Sequence, residues 1–219
     1  MRLGAALFNG NHARLGDEVQ RLTDAGLDLI HLDVFDGYFV PDLGFPPRTI
    51  EHLRPLTTLP FEVHLGANDP ARFIRPLADA GVDLLFLPVE TTPLLYETIF
   101  TVRECKMRVG LSFALGAPLT ALEAAAPMLD AILLLSRVTG ESARGASFNP
   151  LALPRVTRAH EILQAANINV DLQIAGGINR ENIVQAKRAG ATTASLGAGI
   201  YKVADMRREV AELRALTED

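Results

Sequence analysis

Short apolar runs of four to eight residues alternate with stretches of helical period along the chain, and this alternation constrains the fold most strongly. The runs are Leu3–Phe8, Leu27–Val34, Phe61–Leu65, Asp83–Val89, Arg108–Phe113, Ala131–Ser136, Val170–Ile174 and Thr193–Leu196. Each is bounded by Gly, Pro, Asn or Asp, as strands buried on both faces should be. Between them, sets such as Leu15-Val19-Leu22 and Phe73-Leu77-Ala80 recur every three or four positions, which is one face of an amphipathic helix. Such alternation predicts the α/β class, with a parallel sheet and crossover helices. The phrase Asp24-Ala25-Gly26-Leu27-Asp28 returns as Asp79-Ala80-Gly81-Val82-Asp83 and, more loosely, as Arg188-Ala189-Gly190-Ala191-Thr192. Each copy reads as a helix end, a glycine able to take positive φ, and entry into the next strand. With no linker or low-complexity segment, residues 1–219 read as one domain. Eight strands with eight helical patterns fit a single-domain (β/α)8 barrel better than an open doubly wound sheet.

Composition narrows the function classes. There are 21 Lys and Arg against 26 Asp and Glu, a formal net charge of -5 with no basic stripe, so no nucleic-acid partner is expected. No apolar run reaches the roughly 18 residues of a membrane span, and no membrane association is expected. Leu3 to Phe8 is cut short by Asn9, Gly10, Asn11 and His12, too early for a signal peptide, so a cytoplasmic location is expected. Cys105 is alone, which excludes an intrachain disulfide framework.

Chemistry in such a barrel belongs at the C-terminal ends of the strands. His31 and Asp33 stand two apart in Ile30-His31-Leu32-Asp33-Val34 and share one face; Glu62-Val63-His64-Leu65 places His64 at the same level on the next strand. Buried together, these groups must pair with one another or hold a divalent metal ion such as Zn, Fe or Mn. His12, His52 and His160 fall in loops or helical stretches and receive no role. Ala175-Gly176-Gly177 follows the seventh strand and Gly197-Ala198-Gly199 the eighth, where small residues let backbone N–H groups approach an anion. Gly176, Gly177, Gly197 and Ala198 are therefore candidate phosphate-binding positions. Gly145 joins them from the glycine-containing segment Thr139 to Ser147, which reads as a loop able to close over a ligand.

The segment from Ala13-Arg14-Leu15-Gly16 to His31-Leu32-Asp33-Val34-Phe35-Asp36-Gly37-Tyr38-Phe39-Val40-Pro41 resembles the ribulose-phosphate 3-epimerase family. The likeness continues through Glu62-Val63-His64-Leu65, Val89-Glu90, Gly176-Gly177-Ile178-Asn179 and Gly197-Ala198-Gly199-Ile200, nearly the whole chain. It implies a TIM barrel of the ribulose-phosphate-binding type, a sugar-phosphate substrate, a divalent metal ion and a homo-oligomer. In that family a metal-stabilised enediolate forms when one acid removes a proton beside the carbonyl, and a second acid returns one on the opposite face. The first acid maps to Asp33, also a metal ligand with His31 and His64. The second maps to Ala175, whose methyl group can do neither. Asn9 replaces a usual serine, Pro88 a usual histidine, and the sixth-strand loop offers Arg137, Glu141 and Arg144 in place of an Asn-Pro-Gly-Phe-Gly-Gly run.

Asn9, Glu90 and Arg137 are taken as substrate contacts, and Glu90, Glu141 or an ordered water as substitutes for the missing acid. The expected activity is an epimerase-like isomerase on a ketose phosphate with an altered acid/base pair. One alternative is a metal-assisted aldol-type lyase on a phosphorylated sugar or sugar acid, with Arg137 holding a carboxylate. The other is a barrel that binds a sugar phosphate without catalysis.

Overall fold

In the computed structural model, residues 1–138 and 147–218 are described. Eight parallel strands close into a barrel in chain order: β1 (Arg2–Ala6), β2 (Leu29–Phe35), β3 (Phe61–Gly66), β4 (Leu84–Pro88), β5 (Arg108–Phe113), β6 (Ala131–Leu135), β7 (Asp171–Ile178) and β8 (Thr193–Leu196). Helices such as α1 (Leu15–Asp24), α3 (Ala71–Asp79) and α6 (Ala152–Ala165) lie between strands, as the helical periods predicted. No helix among the described residues is long and apolar enough to cross a membrane.

The recurring turn has a physical basis at the barrel floor. Gly26, Gly81 and Gly190 all take positive φ (81°, 84° and 110°), which turns the chain out of the helix. The last residue of each repeat then ties neighbouring strands together. Asp28 accepts the Leu3 amide at 2.7 Å, Asp83 the Phe61 amide at 2.7 Å, and the Thr192 hydroxyl the Leu172 amide at 2.8 Å. A short polar side chain is needed there because strand-initial N–H groups would otherwise lack partners.

Period-two alternation divides the strands between two environments. Outward residues such as Leu32, Val63, Leu85 and Ile132 join the main core beneath the helices. Inward residues form a second apolar cluster on one side, with Leu84, Phe86, Leu133 and Leu135. The other side of the lumen is polar: His31, Glu62, His64, Gln173, Thr193 and Ser195 are buried there.

One boundary differs in a way that matters. Gly176 and Gly177, expected beyond the seventh strand, lie within β7, which runs on to Ile178. Their φ values of 116° and 66° break the pleat, so the β7–β8 register shifts between Ala175 and Ile178 before Ile178 pairs with Leu196.

Candidate metal and sugar-phosphate site

The β2–β3 register sets His31 opposite Glu62 and Asp33 opposite His64, so all four side chains enter the lumen in two layers. Asp33 Oδ1 lies 3.7 Å from His31 Nε2 and 3.3 Å from His64 Nδ1. His31 donates its Nδ1 proton to Glu62 Oε1 at 2.8 Å, and Gln173 Nε2 donates to Glu62 Oε2 at 2.9 Å and to Asp171 Oδ2 at 2.8 Å. A polar chain thus runs from the mouth toward the floor. Phe35 packs edge-on against the His64 ring at 5.5 Å.

Burial is the largest influence on both His31 and Asp33 and opposes their charged forms. On His31 the hydrogen bonds and charges of Asp33 and Glu62 outweigh it and raise the pKa to about 10. On Asp33 the hydrogen bonds and charges of His31 and His64 outweigh it and hold the carboxyl well below the usual carboxylate range.

One donor atom each from His31, Asp33 and His64 lies within 4.8 Å of the others. Two imidazoles and a carboxylate, with the carboxylate of Glu62 fixing the tautomer of one imidazole, suit a divalent transition-metal ion. The donor set therefore fits the metal that the sequence implied.

These residues open into a cavity of ≈ 470 Å³. Its lining includes Asn9, Arg137, Ala175, Gly176, Gly177, Gly197, Ala198 and Gly199, so most candidates from the sequence share one space with His31, Asp33 and His64. Gly177 could not be another residue: a Cβ there would stand 2.5 Å from the Phe148 amide nitrogen. Ser136 Oγ lies 2.8 Å and 2.6 Å from the Ala175 and Gly176 carbonyls and fixes this stretch of backbone.

Glu90 is placed elsewhere. After Pro88 the chain enters a 3-10 turn, Val89–Thr91, and the exposed Glu90 carboxylate accepts the Ala114 amide at 2.8 Å, outside the cavity lining. Gly145, Glu141 and Arg144 lie outside the described residues.

Two acids missing from the sequence-based set emerge. Glu62 is one, and its signal was present: it stands two residues before His64, on the same face. Asp42 is the other, half-buried in the loop after β2 and bordering the cavity. Asp36 has a different task from Asp33. Its carboxylate accepts the Tyr38, Phe39 and Asn68 amides at 2.9, 2.9 and 2.7 Å and so shapes that loop.

A family model described as the ribulose-phosphate 3 epimerase family matches residues 2–201. The chain belongs to the ribulose-phosphate 3-epimerase family. It is 29% identical over 215 residues to a ribulose-phosphate 3-epimerase of Bacillus subtilis (strain 168), covering 98% of each chain. It is 30% identical over 211 residues to one from Synechocystis sp., covering 95% of this chain and 91% of that protein. Among solved structures, the tryptophan synthase α-subunit of Pyrococcus furiosus superposes with a TM-score of 0.71 at 15% identity, covering 98% and 97% of the two chains. Orotidine 5′-phosphate decarboxylase from Pyrococcus horikoshii gives 0.70 at 15% identity, covering 99% of each. At that identity the likeness concerns the barrel alone, whereas the family match reaches the sequence of the mouth.

Proposed function

We propose that this chain is an isomerase of ketose phosphates, epimerase-like in its first step and altered in its second. The observation that carries the reading is the convergence of His31, Asp33 and His64 on a cavity that Gly176, Gly177 and Gly197–Gly199 also border. The phosphate would rest against the backbone N–H groups of those glycine-containing segments. A divalent cation (Zn, Fe or Mn) held by His31, Asp33 and His64 would supply Lewis acidity toward the negative charge that develops on a substrate oxygen.

Asp33 is ionised at neutral pH and takes the proton next to the substrate carbonyl on an Oδ atom. Glu62 holds the His31 Nδ1 proton, which turns Nε2 toward Asp33. Phe35 and Val40 border the same space and limit water around Asp33. Residue 175 cannot return a proton. Asp42 is the other carboxylate among the described lining residues, but its loop folds back on the strand that carries Asp33, so the second transfer, on the opposite face, is assigned to an ordered water beside Ala175.

The test is solvent exchange. Protein loaded with Zn, Fe or Mn and incubated with ribulose 5-phosphate in D₂O should incorporate deuterium at C3, and xylulose 5-phosphate should follow. No exchange from any pentulose or hexulose phosphate would rule the reading out. Appearance of aldehyde fragments instead would favour the one-base, aldol-type reaction that the methyl group of Ala175 also permits.

A further inference from the structure

The β6–β8 side of the cavity differs in chemistry from the β2–β3 side. Among the described residues, two buried side-chain polar atoms lack a hydrogen-bond partner: Gln173 Oε1 and Ser195 Oγ. Ser195 is only 2% exposed yet borders the cavity. It pairs with Ala175 on one flank and with Gly4 on the other, so little bulk stands beside its hydroxyl. Burying an unpaired hydroxyl is costly, so a native fold supplies it with a partner, an ordered water or a ligand group that takes the water's place.

Arg137 borders the same space. Its stem lies over Gly176, where a Cβ would stand 2.7 Å from Arg137 Cγ, so the glycine makes the seat for the side chain. Among the described residues no hydrogen bond or ion pair engages its guanidinium. Between these two donors Ala175 contributes no charge. Among the described residues this wall therefore offers a cation and a hydroxyl and no acid, whereas the opposite wall carries Asp33.

We propose that this wall is a carboxylate-binding subsite, in which the Arg137 guanidinium and the Ser195 hydroxyl donate to an acid group on the substrate beside the Ala175 methyl. Two donors match the two oxygens of a carboxylate, and the planar guanidinium suits that shape. The substrate class is then a ketose phosphate that also carries a carboxylate, with its phosphate on the glycine segments and its carboxylate on Arg137. The inference rests on the sugar-phosphate reading above and adds a second anionic group to it.

Calorimetric titration of the metal-loaded protein with erythronate 4-phosphate and erythritol 4-phosphate, which differ in the carboxylate, tests it. Erythronate 4-phosphate is expected to bind at least about tenfold more tightly. Arg137→Met and Ser195→Ala should each shrink that preference and leave erythritol 4-phosphate binding within about threefold of the parent. Equal binding of the two ligands overturns the subsite and leaves the sugar-phosphate reading intact. So does a preference that survives Arg137→Met, since the carboxylate then sits on the metal. Equal weakening of both ligands by Arg137→Met assigns the guanidinium to the phosphate and also overturns it. If neither ligand binds, the sugar-phosphate reading fails as well.

Discussion

His31 and Glu62 face each other across the β2–β3 ladder at 2.8 Å, and this contact decides which imidazole nitrogen is free for chemistry. With Nδ1–H committed to a carboxylate, Nε2 is the atom that meets Asp33 and any cation.

Replacing Glu62 by Gln should therefore weaken divalent-metal affinity by about 10–100-fold while the barrel stays folded. Competition against a chromogenic chelator reads the affinity, and circular dichroism reads the fold.

The raised pKa of His31 gives a pH dependence of known sign. Its folded value, about 10, lies above the ordinary value of 6.5. The metal-free protein therefore has this stabilisation in full below about pH 6.5 and loses it as the pH rises toward 10. Metal binding must displace the same proton, so apparent affinity should rise by about tenfold per pH unit over that window. Thermal scans from pH 6.5 to 10, with and without Zn²⁺, should show the metal-free transition falling and the metal-induced shift growing.

Ala175→Asp restores an acid beside the cavity. It is expected to raise ribulose 5-phosphate epimerisation by about 10²–10⁴-fold, the contribution of one positioned acid. A coupled assay for xylulose 5-phosphate measures this.

Asp33 and Asp42, two carboxylates on the β2 side of the cavity, should differ in effect. Asp33→Asn is expected to abolish both C3 deuterium exchange and product formation. Asp42→Asn should leave both within about tenfold of the parent, because the return of the proton on the far face does not pass through it. Proton NMR in D₂O distinguishes them in one experiment.

Gly177→Ala forces a Cβ to within 2.5 Å of the Phe148 nitrogen at a φ of 66°. Destabilisation of at least about 2 kcal/mol should follow, read by urea unfolding.

Strand count, strand order and the His31–Asp33–His64 set were legible because period-two alternation and the repeated helix-to-strand turn are local signals. The course of β7 was not. Gly176 and Gly177 have the composition of a turn, yet Ile178 resumes pairing with Leu196, a contact that only the closed barrel supplies. Glu62 was readable from its spacing to His64 but looked like any strand carboxylate until the ladder placed it against His31. Asp42 had no such signal. Its position depends on a loop that folds back on β2, where the Gly44 amide donates to the Phe35 carbonyl at 3.1 Å and the Phe45 amide to the Asp33 carbonyl at 2.8 Å. Glu90 shows the converse: a residue in a matching motif can be spent on a neighbouring loop amide.

The side chains of Asp28, Asp83 and Thr192 fasten strand to strand at the end of the barrel remote from the cavity. Anchorage and reactivity are thus carried by opposite rims. A methyl group at 175 or a guanidinium at 137 can alter what is bound without loosening those fastenings, so a lineage built on this frame is free to change its diet one rim residue at a time.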